Sequence, residues 1–191
     1  MKLVEGVGIN DADYVVYPTV SGKQVMCPFY KVWKSMLVRC YNSKVHQRSP
    51  TYVGCSVSPE WLTFSNFRAW METQDWVGKE LDKDILFKGN KVYSPQTCVF
   101  VPVNVNLLLL DHANARGNYM IGAYRYKLAG KFTAKCNDGT GKLVHLGYYI
   151  TELEAHLAWK AYKHNLACKL AGEQTDSRVA EALRTRYCET K

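Results

Sequence analysis

Residues 120–162 constrain the fold most, because their hydrophobic period changes once along the segment. In the first part, apolar and polar side chains alternate with the two-residue period of β-strands, and later ones recur at helical spacing. Asn137-Asp138-Gly139 supplies a turn between two of the strands. Thr151 followed by Glu154 is a capping box that would begin the helix, and Gly172 would end it. The segment therefore predicts a three-stranded antiparallel sheet covered by one helix.

The predicted sheet has one covered face and one exposed face. Alternation along the second strand sends Phe132, Ala134 and Cys136 toward the helix. The helix would meet them with a stripe of small and aromatic side chains, Ala155, Ala158, Trp159 and Tyr162. The opposite face would carry the polar and aromatic side chains Tyr124, Tyr126, Lys135, Asn137 and His145. Two further basic residues of the strand region are Lys127 and Lys131.

The charge of the chain indicates a negatively charged partner. The formal net charge is +8. Residues 111–191 hold 13 Lys and Arg against 8 Asp and Glu, whereas residues 1–110 hold 12 against 9. A basic protein most often has nucleic acid as its partner, and lysines on the sheet would contact phosphates in a salt-dependent way. A solvated basic surface is the alternative.

No segment indicates a membrane protein or secretion. The leucine run Leu107–Leu110 is far shorter than the about 20 apolar residues that a spanning helix needs. The first residues lack the basic, apolar and small-residue regions of a secretion signal. We therefore expect a cytoplasmic protein without a membrane partner.

The seven cysteines include no CxxC pair, which argues against a disulfide framework and against a ribbon-type zinc site. Four of them lie within residues 1–100 and together offer a zinc ligand set, Cys27, Cys40, Cys55 and Cys98. Reduced thiols in the core of the protein are the alternative, and it is the one that we expect.

The first part of the chain predicts two helices with aromatic faces. Pro28 suits the first turn of a helix, where its missing N–H costs nothing. The apolar face that follows at helical spacing comprises Tyr30, Trp33, Met36, Leu37 and Cys40. A second such face comprises Trp61, Phe64, Phe67, Trp70 and Met71. These aromatic side chains are expected to form a core rather than a surface that stacks on bases.

The remaining elements of this part are short. A polar loop would span residues 41–51 and a short strand Tyr52–Val57. Two strands, within residues 80–86 and 97–101, would be joined by a turn at Gly89-Asn90. The leucines after Asn106 would begin a helix, and residues 111–118 would form the joint between two domains.

Four groups of residues between positions 30 and 106 carry a resemblance. They are Trp33 with Arg39-Cys40-Tyr41-Asn42; Tyr52, Glu60-Trp61, Phe64 and Phe67; Leu81-Asp82-Lys83-Asp84; and Tyr93-Ser94-Pro95 with Cys98-Val99-Phe100-Val101. In order and spacing they resemble phage and mobile-element proteins of the HNH (His-Me finger) homing endonuclease kind. The resemblance implies a ββα fold that hydrolyses DNA phosphodiesters with a divalent metal, Mg²⁺ or Mn²⁺.

That family uses a metal-binding acid, a histidine base and a metal-binding Asn or His. Asp82 takes the place of the acid, Lys83 that of the histidine, and Thr97 that of the asparagine. An ordinary lysine, with a pKa of about 10.4, is a poor base at neutral pH. A threonine hydroxyl is a weak metal ligand beside a carboxylate. Asp84 is a candidate second metal ligand, and His46 is a candidate base from elsewhere in the chain.

Two outcomes are open for this part of the chain. It forms either an active endonuclease with a rearranged site or a nuclease fold kept for binding. Asp82, Lys83 and Asp84 also fit a charged strand edge without a catalytic role.

Residues 120–162 carry a second resemblance. It rests on Gly122-Ala123-Tyr124, Gly130-Lys131-Phe132-Thr133-Ala134, Leu146-Gly147, Thr151, Glu154-Ala155, Ala158-Trp159 and Ala161-Tyr162. These resemble the plant ethylene-response-factor (apetala-two type) DNA-binding domain, which also accompanies HNH nucleases in phage proteins. The resemblance implies a sheet that enters the major groove of double-stranded DNA. The family has Arg and Trp where this chain has Tyr, Lys, Asn and His, so the family's sequence preference does not transfer. A solvated amphipathic sheet is the alternative.

Together these patterns predict an α+β protein in two parts. Residues 1–115 would form a degenerate HNH-like ββα domain, and residues 116–191 the sheet-and-helix domain with a last helix that begins near Asp176 or Ser177. The expected function is that of a phage-type DNA-binding protein in the cytoplasm of a bacterial host, foremost a homing-type endonuclease. A non-catalytic DNA-binding regulator and a phage protein that binds a host defence protein are the alternatives.

Overall fold

The chain folds as a mixed α+β protein, as the sequence predicts. The computed structural model describes residues 3–110, 118–126 and 130–188. The fold divides into two compact units, Met1–Phe100 and Val101–Lys191. Each unit has its own core, and the helix after residue 102 belongs to the second unit.

Helix α1, Pro28–Tyr41, is the centre of the N-terminal unit. Its buried side chains are the five that helical spacing predicts, Tyr30, Trp33, Met36, Leu37 and Cys40. The indole Nε1 of Trp33 donates a hydrogen bond of 2.7 Å to the carbonyl oxygen of Trp61, so its polar atom is satisfied in the core. The N-terminal segment crosses this helix closely, since a Cβ on Gly8 would lie 2.4 Å from Cδ1 of Leu37.

Helix α3, Phe64–Glu72, packs against α1 and confirms the second aromatic face. Phe64 and Phe67 are buried, and the ring of Phe64 lies 5.3 Å from that of Tyr30. Trp61 is also buried, but it lies in the preceding 3-10 turn, Pro59–Leu62. These aromatic rings therefore form a core, as predicted, and not a surface for stacking on bases.

The predicted polar loop at residues 41–51 is wrong in part, because it contains helix α2, Ser43–Arg48. The side-chain oxygen of Asn42 caps this helix by accepting from the main-chain N–H groups of Lys44 and Val45. No residue of α2 is buried, so the hydrophobic pattern gave no sign of it. A 3-10 turn, Pro50–Tyr52, follows. Of the predicted strand Tyr52–Val57, only Ser56–Val57 forms a strand, β3.

The six short strands that the structure describes before residue 103 pair in three small sheets. Strands β1, Thr19–Val20, and β2, Lys23–Gln24, form one antiparallel pair. Strand β3 runs parallel to β5, Val92–Tyr93. Strand β4, Lys79–Asp82, pairs with β6, Val99–Pro102.

The two strands predicted within residues 80–86 and 97–101 correspond to β4 and β6, and these are neighbours in one sheet, so their predicted pairing is confirmed. The connection between them is longer than the predicted turn at Gly89-Asn90, because it contains β5, which pairs with β3. The Asn90 carboxamide holds part of this connection, since its Nδ2 donates to the carbonyl oxygens of Lys83 and Val92.

The C-terminal unit begins with helix α4, Val103–Leu109, which the leucine run predicts. The predicted joint at residues 111–118 lies outside the described residues except for Asn118. Three antiparallel strands follow in the order β7-β8-β9, namely β7, Ala123–Arg125, β8, Phe132–Asn137, and β9, Leu143–Tyr149.

Helix α5, Glu152–Gly172, covers this sheet as predicted. It begins with the capping box of Thr151 and Glu154. Its Ala155 forms a core with Ala123 and Ala134 of the sheet, where small side chains allow a close approach. Helix α6, Ser177–Thr185, is capped by Asp176 and packs on α5. Over the ranges described, no helix combines the length and apolar composition needed to cross a membrane.

Candidate functional site

The register of the three-stranded sheet defines which side chains point away from α5. Ala123 and Ala134 lie opposite each other and face the helix. The next row, Tyr124, Thr133 and Tyr148, therefore points to the other side. Tyr124 is 39% exposed and Tyr148 is 56% exposed, whereas Thr133 between them is buried.

A β-bulge at Leu146 decides which residues of β9 share this side. In the pairing with β8, Gly147 is followed directly by His145, so Leu146 has no partner of its own. Gly147 has a φ of +137°, which residues with a side chain rarely adopt. Strict alternation from His145 would send Tyr148 toward the helix, but the extra residue reverses its direction. Sequence reasoning therefore missed Tyr148.

The side chains on the outer side of the sheet contact one another. The ring of Tyr148 lies 4.8 Å from that of Tyr126 and 4.7 Å from that of His145. Lys135 Nζ lies 6.0 Å from the centre of the Tyr124 ring, within the range of a cation–π contact. We call this surface the exposed face, and it consists of Tyr124, Tyr126, Thr133, Lys135, Asn137, Leu143, His145 and Tyr148.

The other predicted DNA-binding residues have different positions. Asn137 lies at the end of β8, and its side-chain oxygen accepts from the N–H groups of Gly139 and Gly141. Its carboxamide therefore holds the turn as well as facing outward. Lys131 lies at an exposed position just before β8. Lys127 lies outside the described residues.

Asp82, the predicted metal-binding acid, ends β4 and caps the turn that follows. Its Oδ1 accepts from the main-chain N–H groups of Asp84, at 2.6 Å, and of Ile85, at 2.7 Å. Burial raises the pKa of the Asp82 carboxyl, while the two main-chain hydrogen bonds oppose that shift. The residue therefore has a clear structural role at the end of its strand.

Lys83, in the place of the family's histidine, is 5% exposed and fully engaged in contacts. Its Nζ donates to Oδ2 of Asp84 at 2.5 Å and to the carbonyl oxygen of Asn90 at 2.8 Å. The ring of Tyr93 lies 5.7 Å from the same nitrogen. A protonated lysine has donors and no acceptor, so an ammonium group bonded in this way does not take a proton from water.

The remaining nuclease candidates are also bonded elsewhere. The Thr97 hydroxyl donates to the carbonyl oxygen of Val92 at 2.7 Å. His46 lies in α2, and its Nε2 lies 3.0 Å from the carbonyl oxygen of Arg39. The structure brings Asp82, Lys83 and Asp84 together because they are neighbours in the chain. Within the described residues, no hydrogen bond or ion pair joins either Thr97 or His46 to Asp82.

These contacts give a divalent cation a poor set of oxygen ligands. One oxygen of Asp82 binds main-chain N–H groups, Asp84 is paired with an ammonium group, and Thr97 donates to a carbonyl group. Across the described ranges, no group of three or more His, Cys, Asp or Glu side chains is arranged to hold a metal. We therefore derive no catalytic step through a metal at Asp82, Asp84 and Thr97.

The four cysteines considered as zinc ligands all belong to the core of the N-terminal unit or pack against it. Cys40, Cys55 and Cys98 are buried free thiols in the core of the N-terminal unit. Burial raises the pKa of Cys40 and of Cys98 to about 12, which disfavours the thiolate form that binds metals. Cys27 is only partly buried, and its Sγ lies 3.3 Å from the hydroxyl of Tyr14.

Lys163 is a second residue that the sequence pattern missed. The buried stripe of α5 has a spacing of four residues and consists of Ala155, Trp159, Lys163, Ala167 and Ala171. Lys163 Nζ donates a hydrogen bond of 2.7 Å to the carbonyl oxygen of Leu108 in α4. Burial lowers its pKa from the ordinary value of lysine. Its spacing from Trp159 and Ala167 was the signal that could have identified it.

No family model, no curated protein and no solved structure matches this chain. The resemblances to HNH homing endonucleases and to the ethylene-response-factor domain therefore stay predictions. Any assignment of function depends on the exposed face, on the contacts around Asp82 and on Lys163.

Proposed function

We propose that the protein is a non-catalytic DNA-binding protein of phage type, acting in the cytoplasm of a bacterial host. It would bind double-stranded DNA through the exposed face of its three-stranded sheet. The observation that carries the proposal is the pairing of Lys135 with His145 next to Tyr124 and Tyr148. Among the described residues of this face there is no acidic side chain.

The dimensions of the sheet suit the major groove. Strands lie about 4.8 Å apart, so the outer strands β7 and β9 are separated by roughly 10 Å. The major groove of B-DNA is about 12 Å wide. Helix α5 covers the opposite side of the sheet, and its packing supports the strands from behind. The exposed face is thereby presented on a rigid element rather than on a loop.

The side chains of the exposed face supply the two kinds of contact that DNA recognition needs. Lys135 would neutralise a phosphate, which fixes position but carries no sequence information. The tyrosine hydroxyls and the imidazole of His145 would reach base edges or sugar–phosphate groups as hydrogen-bonding partners. A lysine that contacts a phosphate releases a counterion from the DNA, so the affinity for DNA would fall as the salt concentration rises.

The double variant Lys135→Ala, Tyr148→Ala is expected to bind duplex DNA at least about 10-fold more weakly, a loss of about 1.4 kcal/mol. Loss of the lysine should also reduce the slope of log affinity against log salt by about 1. Fluorescence anisotropy with a labelled duplex, titrated at several salt concentrations, measures both quantities.

Lys169→Ala is the matched control, because Lys169 is an exposed lysine of α5 and lies outside the exposed face. This variant removes one positive charge, as Lys135→Ala does, but the charge of Lys169 would attract DNA only at long range. We therefore expect less than about a twofold change in the affinity for DNA. Wild-type affinity in the double variant would contradict the use of this face. Absence of any binding at low salt would contradict DNA binding itself and favour a host protein as partner.

We expect no cleavage of plasmid or phage DNA in the presence of Mg²⁺ or Mn²⁺, because the contacts around Asp82 do not assemble a base and a metal site. The informative variant is Asp82→Asn, whose side-chain oxygen still accepts from the N–H groups of Asp84 and Ile85. Gel electrophoresis should show intact DNA with both proteins. Cleavage by the wild type that disappears in Asp82→Asn would overturn the non-catalytic proposal and support the homing-endonuclease alternative.

A further inference from the structure

The C-terminal unit contains a pocket of about 480 Å³ that extends from the exposed face to the buried side chain of Lys163. It lies beside β8 and is bordered by α4, by α5 and by the turn between β8 and β9. Pockets that bind small molecules have volumes of about 300–1,000 Å³. This pocket therefore has the size of a ligand site.

The walls of the pocket are largely apolar. Leu107 and Leu110 line it and are 55% and 46% exposed, which leaves their side chains available to a ligand. Ile121 and Trp159 line it as well. Contact with an apolar ligand would remove these side chains from water at a gain of about 25 cal/mol per Å² of buried area.

Lys163 provides a buried positive group at this pocket. It is 7% exposed, and it lines the pocket from the middle of α5. Its Nζ donates to one acceptor, the carbonyl oxygen of Leu108, whereas an ammonium group carries three donors. In the described part of the chain, no carboxylate forms an ion pair with it. A desolvated ammonium group without a counterion favours the binding of an anion.

The charge of the whole pocket has the same sign. Lys135 is a second lysine among the lining residues, and the described residues that line the pocket include no Asp and no Glu. Two positive groups within apolar walls select a ligand that is both anionic and apolar. A small, strongly hydrated anion such as inorganic phosphate would leave the leucine and tryptophan walls without contact.

We propose that this pocket binds a small amphipathic carboxylate. Its carboxylate group would accept hydrogen bonds from Lys163, and its apolar part would lie against Leu107, Leu110 and Trp159. The pocket shares Tyr124, Lys135, Asn137 and Leu143 with the exposed face. The proposal nevertheless rests on Lys163 and on the apolar walls, so it goes beyond DNA binding and does not depend on it.

The test is isothermal titration calorimetry of the full-length protein, without DNA, using octanoate as the probe. Octanol has the same chain without the charge, and we expect it to bind at least about 10-fold more weakly than octanoate, a difference of about 1.4 kcal/mol. Lys163→Met keeps the apolar part of the side chain, and it should weaken octanoate binding at least about 10-fold. Lys169→Met, at an exposed position of the same helix, should bind octanoate as the wild type does.

A second variant keeps the proposal testable if Lys163→Met does not fold, which circular dichroism would reveal. Ile121→Trp retains Lys163 and fills part of the pocket, so it should weaken the binding of octanoate. Three outcomes would overturn the proposal. They are equal binding of octanoate and octanol, wild-type binding in a folded Lys163→Met or Ile121→Trp variant, and inorganic phosphate binding as tightly as octanoate. Because DNA is absent, each outcome is independent of the DNA-binding proposal.

Discussion

Trp33→Ala is expected to destabilise the N-terminal unit by about 3–5 kcal/mol, the usual cost of removing a large aromatic side chain from a core. Trp33 is completely buried, and its ring contacts those of Tyr30 and Phe64. The change also removes the donor to the Trp61 carbonyl oxygen, which adds the cost of a buried acceptor without a partner. Because small domains are stable by only about 5–15 kcal/mol, this variant loses much of the stability of its unit.

Urea unfolding followed by circular dichroism measures this loss as a shift of the transition midpoint. Trp76→Ala is the matched control, since Trp76 is only partly buried at the edge of the same core, with its ring 5.1 Å from that of Phe29. The control should lose clearly less stability than Trp33→Ala. Equal losses would mean that burial in the centre of this core is not what stabilises the unit.

Gly122→Ala is expected to have a comparable effect on the C-terminal unit. Gly122 has a φ of +81°, a conformation that costs a residue with a side chain about 1–2 kcal/mol. A Cβ at this position would lie 2.0 Å from Cγ of Trp159, so β7 or α5 has to move. Overpacking of this kind costs a further 1–3 kcal/mol, roughly. The sum is about 2–5 kcal/mol.

Gly139→Ala separates the two contributions. Gly139 also has a positive φ, of +89°, but a Cβ there meets no atom within 4 Å. This variant should lose only the backbone contribution of about 1–2 kcal/mol. Urea unfolding of both variants, with hydrogen exchange of the amides in β8 as a local readout, gives the difference. If Gly139→Ala lost as much stability as Gly122→Ala, close packing on Trp159 would not be the cause.

The elements predicted correctly are those whose hydrophobic spacing and end signals agree. In α1, Pro28 marks the start and apolar residues recur on one face through Cys40. In α5, Thr151 and Glu154 cap the start of a long helix that ends at Gly172. Patterns of this kind depend only on residues that are close in the sequence, so they can be recognised before the fold is known.

The errors arose where the local structure does not follow the hydrophobic pattern. Asn42 caps a helix without a buried face, and the connection between β4 and β6 contains a further short strand, β5, beside the predicted turn at Gly89-Asn90. The bulge at Leu146 likewise reversed the direction of Tyr148, which alternation alone sends to the helix. A cap or a bulge depends on one or two residues and on their partners, so the hydrophobic period does not indicate it.

In the candidate sites, too, the sequence predicts some features and not others. The sequence located Asp82, Lys83 and Asp84 and the basic side of the sheet, because residue type and chain position suffice for that. It did not reveal that Lys83 is buried against Asn90. Lysine at a core position of α5 was also unexpected, because a charged residue is almost never fully buried. Both facts depend on contacts that consecutive residues do not show, since Lys83 and Asn90 are seven residues apart and Lys163 and Leu108 are 55 residues apart.

The buried cysteines give each unit a chemical reporter of its own transient opening. Cys40, Cys55 and Cys98 are buried in the N-terminal unit, and Cys136 is buried in the C-terminal unit. Burial also raises the pKa of Cys40, Cys98 and Cys136, so even their reactive thiolate form is suppressed while the fold is closed. Cys168 and Cys188 are exposed, so a thiol reagent should reach them without any opening of the fold. The time course of alkylation at the slow positions thus records how often each unit opens, without any added label.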